Sequence, residues 1–388
     1  MATLSWKNWP RLVEHLSRSV DLEATAREHG LLRRRRRVGT ASDLLRLALA
    51  YGPGGQSLRE TVAWAEMQGL ATLSAPALLY QLRDAADWLE HVAATLLRGF
   101  PATTQHARLP LRIIDGSMIS APGTGADWRL HASYDPLLHR FERLELTGRS
   151  TAEALERSLI VPGALHIADR VYARPGSLRH VTEHAGEYLV RLGSRSLRLL
   201  DTHGKLLILP ELLEQATREG RIDMPVVIDR HPKRMARPTA SIAAKQAQSC
   251  PERPPCGQSK WQPLSARLVI LPKPADAAAT SRKKALRASQ KGMHQPEATN
   301  VEAAGYLMLI TSLPPDEYPP DDLAAFYRMR WQIEIAFKRL KSLIHIDRLP
   351  AKEPRLAKAW LSAHLIIAIL IDAITPQLRD SPPSAAKT

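Results

Sequence analysis

The 388-residue chain has almost no cysteine: Cys250 and Cys256 are its only two. That excludes a disulfide framework. Their spacing does not suit a zinc knuckle and no second ligand pair follows, so they read as ordinary thiols in a loop. A long uninterrupted apolar run is missing too. The longest, residues 359–374, is broken by His364 and Asp372 and is shorter than the ~20 residues a membrane span needs. A buried core helix is the expectation there, with no membrane partner. The first residues lack the apolar stretch of a signal peptide, so a cytoplasmic protein, nucleoid-associated when active, is expected. No internal repeat is present.

What the chain has in excess is positive charge. Lys and Arg number 54 against 39 Asp and Glu, a formal net charge of +15, with a pI near 10.1. Such a balance calls for a polyanionic partner, nucleic acid first, because each neutralised phosphate releases counterions. Ribosomal and membrane-surface proteins share the property, so charge alone is weak evidence. Hydrophobic residues make up 44% of the chain, enough for a sizeable core in two or three domains.

Residues 1–105 read as helical. A helix over 22–32 runs into the arginines of 33–37, which suit phosphate contact in so basic a chain. Ser42 and Asp43 open an apolar helix closed by Gly52-Pro53-Gly54-Gly55. Ser57 with Glu60 forms a capping box for a helix to about Gln68, and Ser74 caps another reaching about Leu97. Helix, turn, helix fits a DNA-binding module and fits any small bundle equally well. From Leu109 the pattern changes to strands at 111–115, 128–134 and 140–147, a helix at 151–159, an apolar run at 164–168 and a strand at 187–192. This order predicts a mixed sheet flanked by helices. Residues 195–303 read as a partly β insertion, with strands at 197–209, 224–228 and 266–271 between exposed basic loops at 230–237, 250–260 and 281–291. A strand at 305–312 follows, then a helix capped by Asp321 or Asp322 that ends near Ser342, and a last helix over 354–375.

That penultimate helix carries the strongest signal. Phe326, Met329, Ile333, Phe337, Leu340 and Ile344 form one apolar stripe at spacings of three and four. On a continuous helix Tyr327, Arg330, Glu334 and Lys341 share an arc of roughly 60° beside that stripe. A carboxylate at a core edge is costly unless paired or metal-bound. Asp115 and Asp169 each end an apolar run, where a turn or capping role competes with a place in a cleft. Two strand acids and one helix acid are what a two-metal phosphodiester site needs, and hard Mg²⁺ or Mn²⁺ prefers such oxygens.

With these residues the sequence resembles the DDE transposases of the insertion sequence 4 type. Their signature is Tyr, two residues, Arg, three residues, Glu, six residues, Lys, matched by Tyr327, Arg330, Glu334 and Lys341. The first acid follows an apolar strand, as in Ile113-Ile114-Asp115-Gly116-Ser117. The second lies in an Asp-Arg-Gly-Tyr motif, here Asp169-Arg170-Val171-Tyr172, with Val171 departing from the pattern. The resemblance covers about residues 40–375. It implies an α/β fold with an RNase H-like mixed sheet and flanking helices. It also implies an all-α N-terminal domain (1–105) that helps bind DNA ends, a core in two parts (106–194 and 304–375) and a mainly β insertion (195–303); the chain end itself reads as a disordered tail (376–388). Asp115, Asp169 and Glu334 would hold two Mg²⁺ or Mn²⁺ ions. Tyr327, Arg330 and Lys341 would contact phosphates, with Arg170 and Arg328 as further contacts, and Trp261 would stack a flipped base in members that form a hairpin. The partners implied are double-stranded DNA, as terminal inverted repeats and target, and a second copy of the chain in a synaptic homodimer. A transposase-derived DNA-binding protein without catalysis and a plain RNase H-like metal nuclease stand as alternatives.

Overall fold

The computed structural model describes residues 9–32, 38–98, 109–120, 126–138, 140–194, 196–229, 262–291, 297–344, 349 and 353–379. Two compact units emerge. One takes in residues 1–153, 157–159 and 329–388, the other residues 154–156 and 160–328. Cys250, Cys256, Trp261, the arginine run 33–37 and the basic stretches 230–237 and 250–260 lie outside the described residues.

Six helices open the first unit: α1 (Trp9–Ser17), α2 (Leu22–Glu28), α3 (Ala41–Tyr51), α4 (Leu58–Met67), α5 (Ala75–Asp84) and α6 (Ala86–Arg98). Side-chain caps set most of their starts. The expected capping box is present, with Ser57 N–H donating to Glu60 Oε2 at 2.7 Å and Glu60 N–H to Ser57 Oγ at 3.2 Å. Ser74 caps α5 as expected, but the chain breaks at Ala85, so α5 and α6 replace one helix to Leu97. α3 starts earlier than expected. Thr40, not Ser42 or Asp43, is its cap; Thr40 Oγ1 accepts from Asp43 N–H at 3.0 Å and donates to Asp43 Oδ2 at 2.7 Å. Gly54 is required where that helix closes, since a Cβ there would lie 2.4 Å from the Ala50 carbonyl oxygen.

These helices bury Leu45, Leu49, Trp88, Leu89 and Val92. Two later helices, α12 (Trp331–Ile344) and α13 (Pro354–Arg379), belong to the same unit. α13 packs chiefly on α6 and also on α3 and α5. From Leu361 to Leu370 all its residues are buried, as expected of a helix apolar all round. Arg355 and Lys358 tie its start to Asp87 of α6, at 3.2 and 2.9 Å. The last helix therefore packs back onto the first helices of the chain. No described helix is long and apolar enough to cross a membrane. Strands β1 (Leu111–Ser120), β2 (Ala126–Asp135) and β3 (Arg140–Gly148) form an antiparallel meander in this unit. α6 and α13 pack on β3 and α12 packs on β1. Phe141 of β3 meets Phe337 of α12 with ring centres 5.9 Å apart.

In the second unit β4 (Leu165–Ala168), α7 (Pro175–Glu183) and β5 (Glu187–Arg191) make a parallel β-α-β turn. β5 pairs antiparallel with β9 (Tyr306–Thr311), β9 with β8 (Leu264–Pro272), β8 with β7 (Ile222–Asp229) and β7 with β6 (Arg198–Leu200). Helices α8 (Leu209–Glu219), α9 (Ala275–Lys291), α10 (Ala298–Ala303) and α11 (Pro320–Met329) complete it. The fold is thus mixed α/β. An antiparallel meander followed by a parallel β-α-β turn is the order of an RNase H-like core.

Several local expectations need correcting. Residues 151–159 hold a single 3-10 turn at Leu155–Arg157 and no α-helix. Tertiary bonds claim the segment: Arg157 pairs with Glu145 at 2.7 Å and Ser177 Oγ donates to Glu156 at 2.6 Å. The apolar run 197–209 is a strand only over Arg198–Leu200, because Asp201 Oδ1 accepts from the backbones of His203 and Lys205, both at 2.9 Å, and turns the chain. Among its described residues the insertion holds helices as well as strands: strands of 3, 8 and 9 residues join the sheet of β5 and β9, and helices have 11, 17 and 6 residues. The basic stretch 281–291, expected as a loop, lies in α9. Finally, the long helix expected from Asp322 to Ser342 is two helices, broken at Arg330. Asp321 and Asp322 lie in the first turn of α11 and do not cap it.

Candidate active site

Asp115 lies in the middle of β1, not at its end. The strand continues to Ser120, and Asp115 faces Ala132 on β2 in register. The four residues before it are buried and the next stretch is half-buried, so Asp115 stands where the strand emerges from the core. Its Oδ1 accepts from the N–H of Gly116 at 2.8 Å. Its Oδ2 accepts from Arg330 Nη1 at 3.2 Å. The other arm of the same guanidinium, Nη2, donates to Glu334 Oε1 at 2.5 Å. One cation therefore bridges two carboxylates.

The break at Arg330 explains how this is reached. A guanidinium inside a continuous helix would share its face with Glu334. Here Arg330 is a turn residue ahead of α12, and Glu334 falls in the first turn of a new helix. The exposed N–H groups and dipole of a helix start favour an acid at that position. Lys341 lies in the last turn of α12 and is half-buried.

Asp169 follows β4 and holds the N-cap position of the 3-10 turn Arg170–Tyr172, yet its side chain makes no cap hydrogen bond. Its Oδ1 instead accepts from Tyr327 Oη at 3.2 Å. Tyr327, on α11, is 9% exposed, so the hydroxyl is aimed from within the fold. The signature thus divides. Tyr327 and Asp169 form a pair in the second unit, while Arg330, Glu334 and Lys341 accompany Asp115 in the first. The four signature residues do not lie on one continuous helix as expected, because Tyr327 and Glu334 belong to different helices. Arg170 and Arg328 are exposed, and Trp261 lies outside the described residues.

Three features near Asp115 escaped sequence reading. At Gly116 a Cβ would lie 2.7 Å from Glu153 Oε1, so a side chain there would have to displace the tip of Glu153, which pairs with Arg129 Nε at 3.4 Å. His131, opposite Gly116 on β2, is buried, with Nε2 2.8 Å from Thr147 Oγ1. Burial, with Arg157 and Arg129 nearby, pushes its pKa down to about 4. Trp331, next to Arg330, is 64% exposed. No local motif signals these three; the register of β1 on β2 and the helix break bring them to notice.

Among the described residues no three acidic, histidine or cysteine side chains are grouped as a ready metal cage. Asp115 and Asp169, half-buried, and Glu334, exposed, are nevertheless hard oxygen donors of the kind Mg²⁺ and Mn²⁺ prefer. The place beside Asp115 and Glu334 already holds a cationic group, the guanidinium of Arg330, so its electrostatics suit positive charge.

Residues 106–370 match the family described as transposase DDE domain. The chain is 40% identical over 386 residues to the transposase for insertion sequence element IS421 of Escherichia coli, with 98% of each chain covered. It is also 40% identical over 385 residues, again 98% of each chain, to InsL, a protein assigned as the transposase for insertion sequence element IS186A in Escherichia coli K12. Among solved structures, that of a piggyBac transposase synaptic complex with hairpin DNA aligns at a TM-score of 0.42 and 10% identity, covering 96% of this chain and 75% of that one.

Proposed function

The chain belongs to the DDE transposase family, whose members bind DNA and use divalent metal ions to cut and rejoin it, and we propose that Asp115, Asp169 and Glu334 are its metal-holding acids. The observation that carries this reading is the pairing of each acid with a signature residue: Arg330 holds Asp115 and Glu334, and Tyr327 holds Asp169. Asp169, although at an N-cap position, makes no cap hydrogen bond. The reaction is DNA transposition: cleavage at the terminal inverted repeats of an insertion sequence, then transfer of the freed 3′-hydroxyl end to target DNA. Asp115, Asp169 and Glu334 would hold two Mg²⁺ or Mn²⁺ ions, which would supply Lewis-acid activation of the attacking oxygen and stabilisation of the leaving one.

The chain's own groups do the rest. Lys341 and Arg330 are cations suited to DNA phosphates, and Arg330's planar fork can exchange a carboxylate pair for a phosphate. Arg170 and Arg328, both exposed, are further phosphate contacts beside the cleaved end. Tyr327 holds Asp169 in place through its hydroxyl and contributes to the DNA contact there. Trp261 is the stacking residue in our reading, should the reaction pass through a hairpin. A second copy of the chain pairs the two element ends, so the active assembly is a dimer.

The decisive experiment is Glu334→Gln in the full chain, incubated with Mg²⁺ and a duplex carrying the ends of its own element. Cleavage is abolished and DNA binding is retained. Cleavage at the parent rate would remove Glu334 from the mechanism.

A further inference from the structure

The segment between the second acid and the glutamate helix holds most of the molecule's charge. Residues 195–303 contain 19 Lys and Arg against 10 Asp and Glu, a net +9 of the chain's +15. Part of this charge lies in α9, the 17-residue helix whose sequence is ADAAATSRKKALRASQK. Its lone acid is Asp276, in the first turn.

The helix is strictly two-sided. Ala278 is buried, and Ser281, Ala285 and Ser289 are half-buried. At about 100° per residue these four share one face of roughly 80°. Lys283, Lys284 and Arg287 lie across a second face, centred roughly 150° away, and all three are exposed. Arg282, by contrast, is used by the fold. Its guanidinium covers Gly305, where a Cβ would come within 2.7 Å of Nη2. Lys273 is used as well, donating to Ser281 Oγ at 3.1 Å and to the Ala304 carbonyl at 2.8 Å. Among the described residues Lys283, Lys284 and Arg287 have no carboxylate partner.

An ordinary surface helix intersperses acids at i,i+4 to offset its cations. Like charges three and four apart, as in Lys284/Arg287 and Lys283/Arg287, cost a helix a few tenths of a kcal/mol per pair. The helix dipole tolerates cations towards the C-terminal end, but it does not explain why all three share one outward face whose only acid, Asp276, lies about two turns away in the first turn of the helix. Lys283, Lys284 and Arg287 are all exposed, with the small Ala285 and Ala288 beside them.

We propose that the outward face of α9, Lys283, Lys284 and Arg287, is a DNA-binding surface that grips phosphates of duplex DNA without reading sequence. A row of side-chain cations on a small-residue helix suits backbone contact, which fixes position and register and carries no base information. This rests on the transposase reading for its partner and adds a surface remote in sequence from Asp115, Asp169 and Glu334.

The test is a salt titration of DNA affinity. Full-length chain and the triple variant Lys283→Gln, Lys284→Gln, Arg287→Gln are compared on two 40-base-pair duplexes, one of arbitrary sequence and one carrying an element end, from 50 to 200 mM salt. Each lost phosphate contact removes about 0.9 from the slope of log K against log salt. A flattening of about 2–3 is expected on both duplexes, together with weaker binding at low salt. The charge-keeping variant Lys283→Arg, Lys284→Arg, Arg287→Lys restores the parent slope, which a purely structural role would not require. An unchanged slope in the triple variant, with the parent binding DNA and Glu334→Gln blocking cleavage, overturns this surface and leaves the transposase reading standing. A loss confined to the element-end duplex would overturn the sequence-independent role. If the parent binds neither duplex, both readings fall.

Discussion

Replacing Arg330 by Gln tests whether one guanidinium holds the two acids together. Its contacts are Asp115 Oδ2 at 3.2 Å and Glu334 Oε1 at 2.5 Å. The Arg330 and Asp115 side chains are each 18% exposed, and that of Glu334 is 44% exposed. The Asp115 arm, sheltered on both sides, should be worth about 1.5 kcal/mol, in the range of hydrogen bonds to charged groups. The Glu334 arm is partly in water, so solvent screening reduces it to about 0.5 kcal/mol. The sum, about 2 kcal/mol, corresponds to a fall in Tm of roughly 4–8 °C for a unit of this size. Equilibrium denaturation in EDTA should show this loss. A double-mutant cycle with Asp115→Asn should return a coupling of about 1 kcal/mol. Adding Mg²⁺ should narrow the gap between parent and variant, since a divalent ion neutralises the same carboxylates. A coupling within about 0.3 kcal/mol of zero in EDTA would refute the bridge and with it the reasoning that places Arg330 between the acids.

Two further outcomes follow from the same geometry. Tyr327→Phe keeps the buried ring and deletes the hydroxyl that Asp169 accepts from; stability should change by no more than about 1 kcal/mol, while cleavage with Mg²⁺ falls and the salt slope of DNA binding stays put, and full cleavage by this variant would show that the Tyr327–Asp169 bond has no role. His131, with its pKa lowered to about 4 by burial and by Arg157 and Arg129, is neutral in the fold and charges more readily when unfolded, so its contribution is present above pH 6.5 and is lost as pH falls from there towards 4; urea denaturation should show on the order of 1 kcal/mol less stability at pH 5 than at pH 7, a loss that His131→Gln should reduce and that, if identical in both proteins, would place the pH dependence elsewhere.

The candidate residues were legible because their spacing is a chemical pattern. Tyr327, Arg330, Glu334 and Lys341 stand out in a run of charged and aromatic residues at fixed gaps, and Asp115 and Asp169 stand out as acids beside apolar strands. Caps were legible for a similar reason: Ser57 with Glu60 is a bond between residues three apart. The helix break at Arg330 was not legible. The apolar stripe continues through it, and helix periodicity carries no information about a turn whose side chain is drawn away to Asp115, 215 residues distant in sequence. The strand through Asp115 was read too short for a related reason, since Gly116 and Ser117 look like a turn until β2 supplies their hydrogen bonds.

By itself the sequence determined the class of the molecule. It is a basic α/β chain with three acids and a cationic signature, because composition and short-range spacing depend only on the residues themselves. Only the tertiary structure decided which residue pairs with which. It put Tyr327 against Asp169, and Arg330 between Asp115 and Glu334. It also brought the last helix back onto the first helices and turned a basic stretch into the open face of α9. Each of these depends on contacts between residues far apart in the chain, whose energies outweigh local propensity.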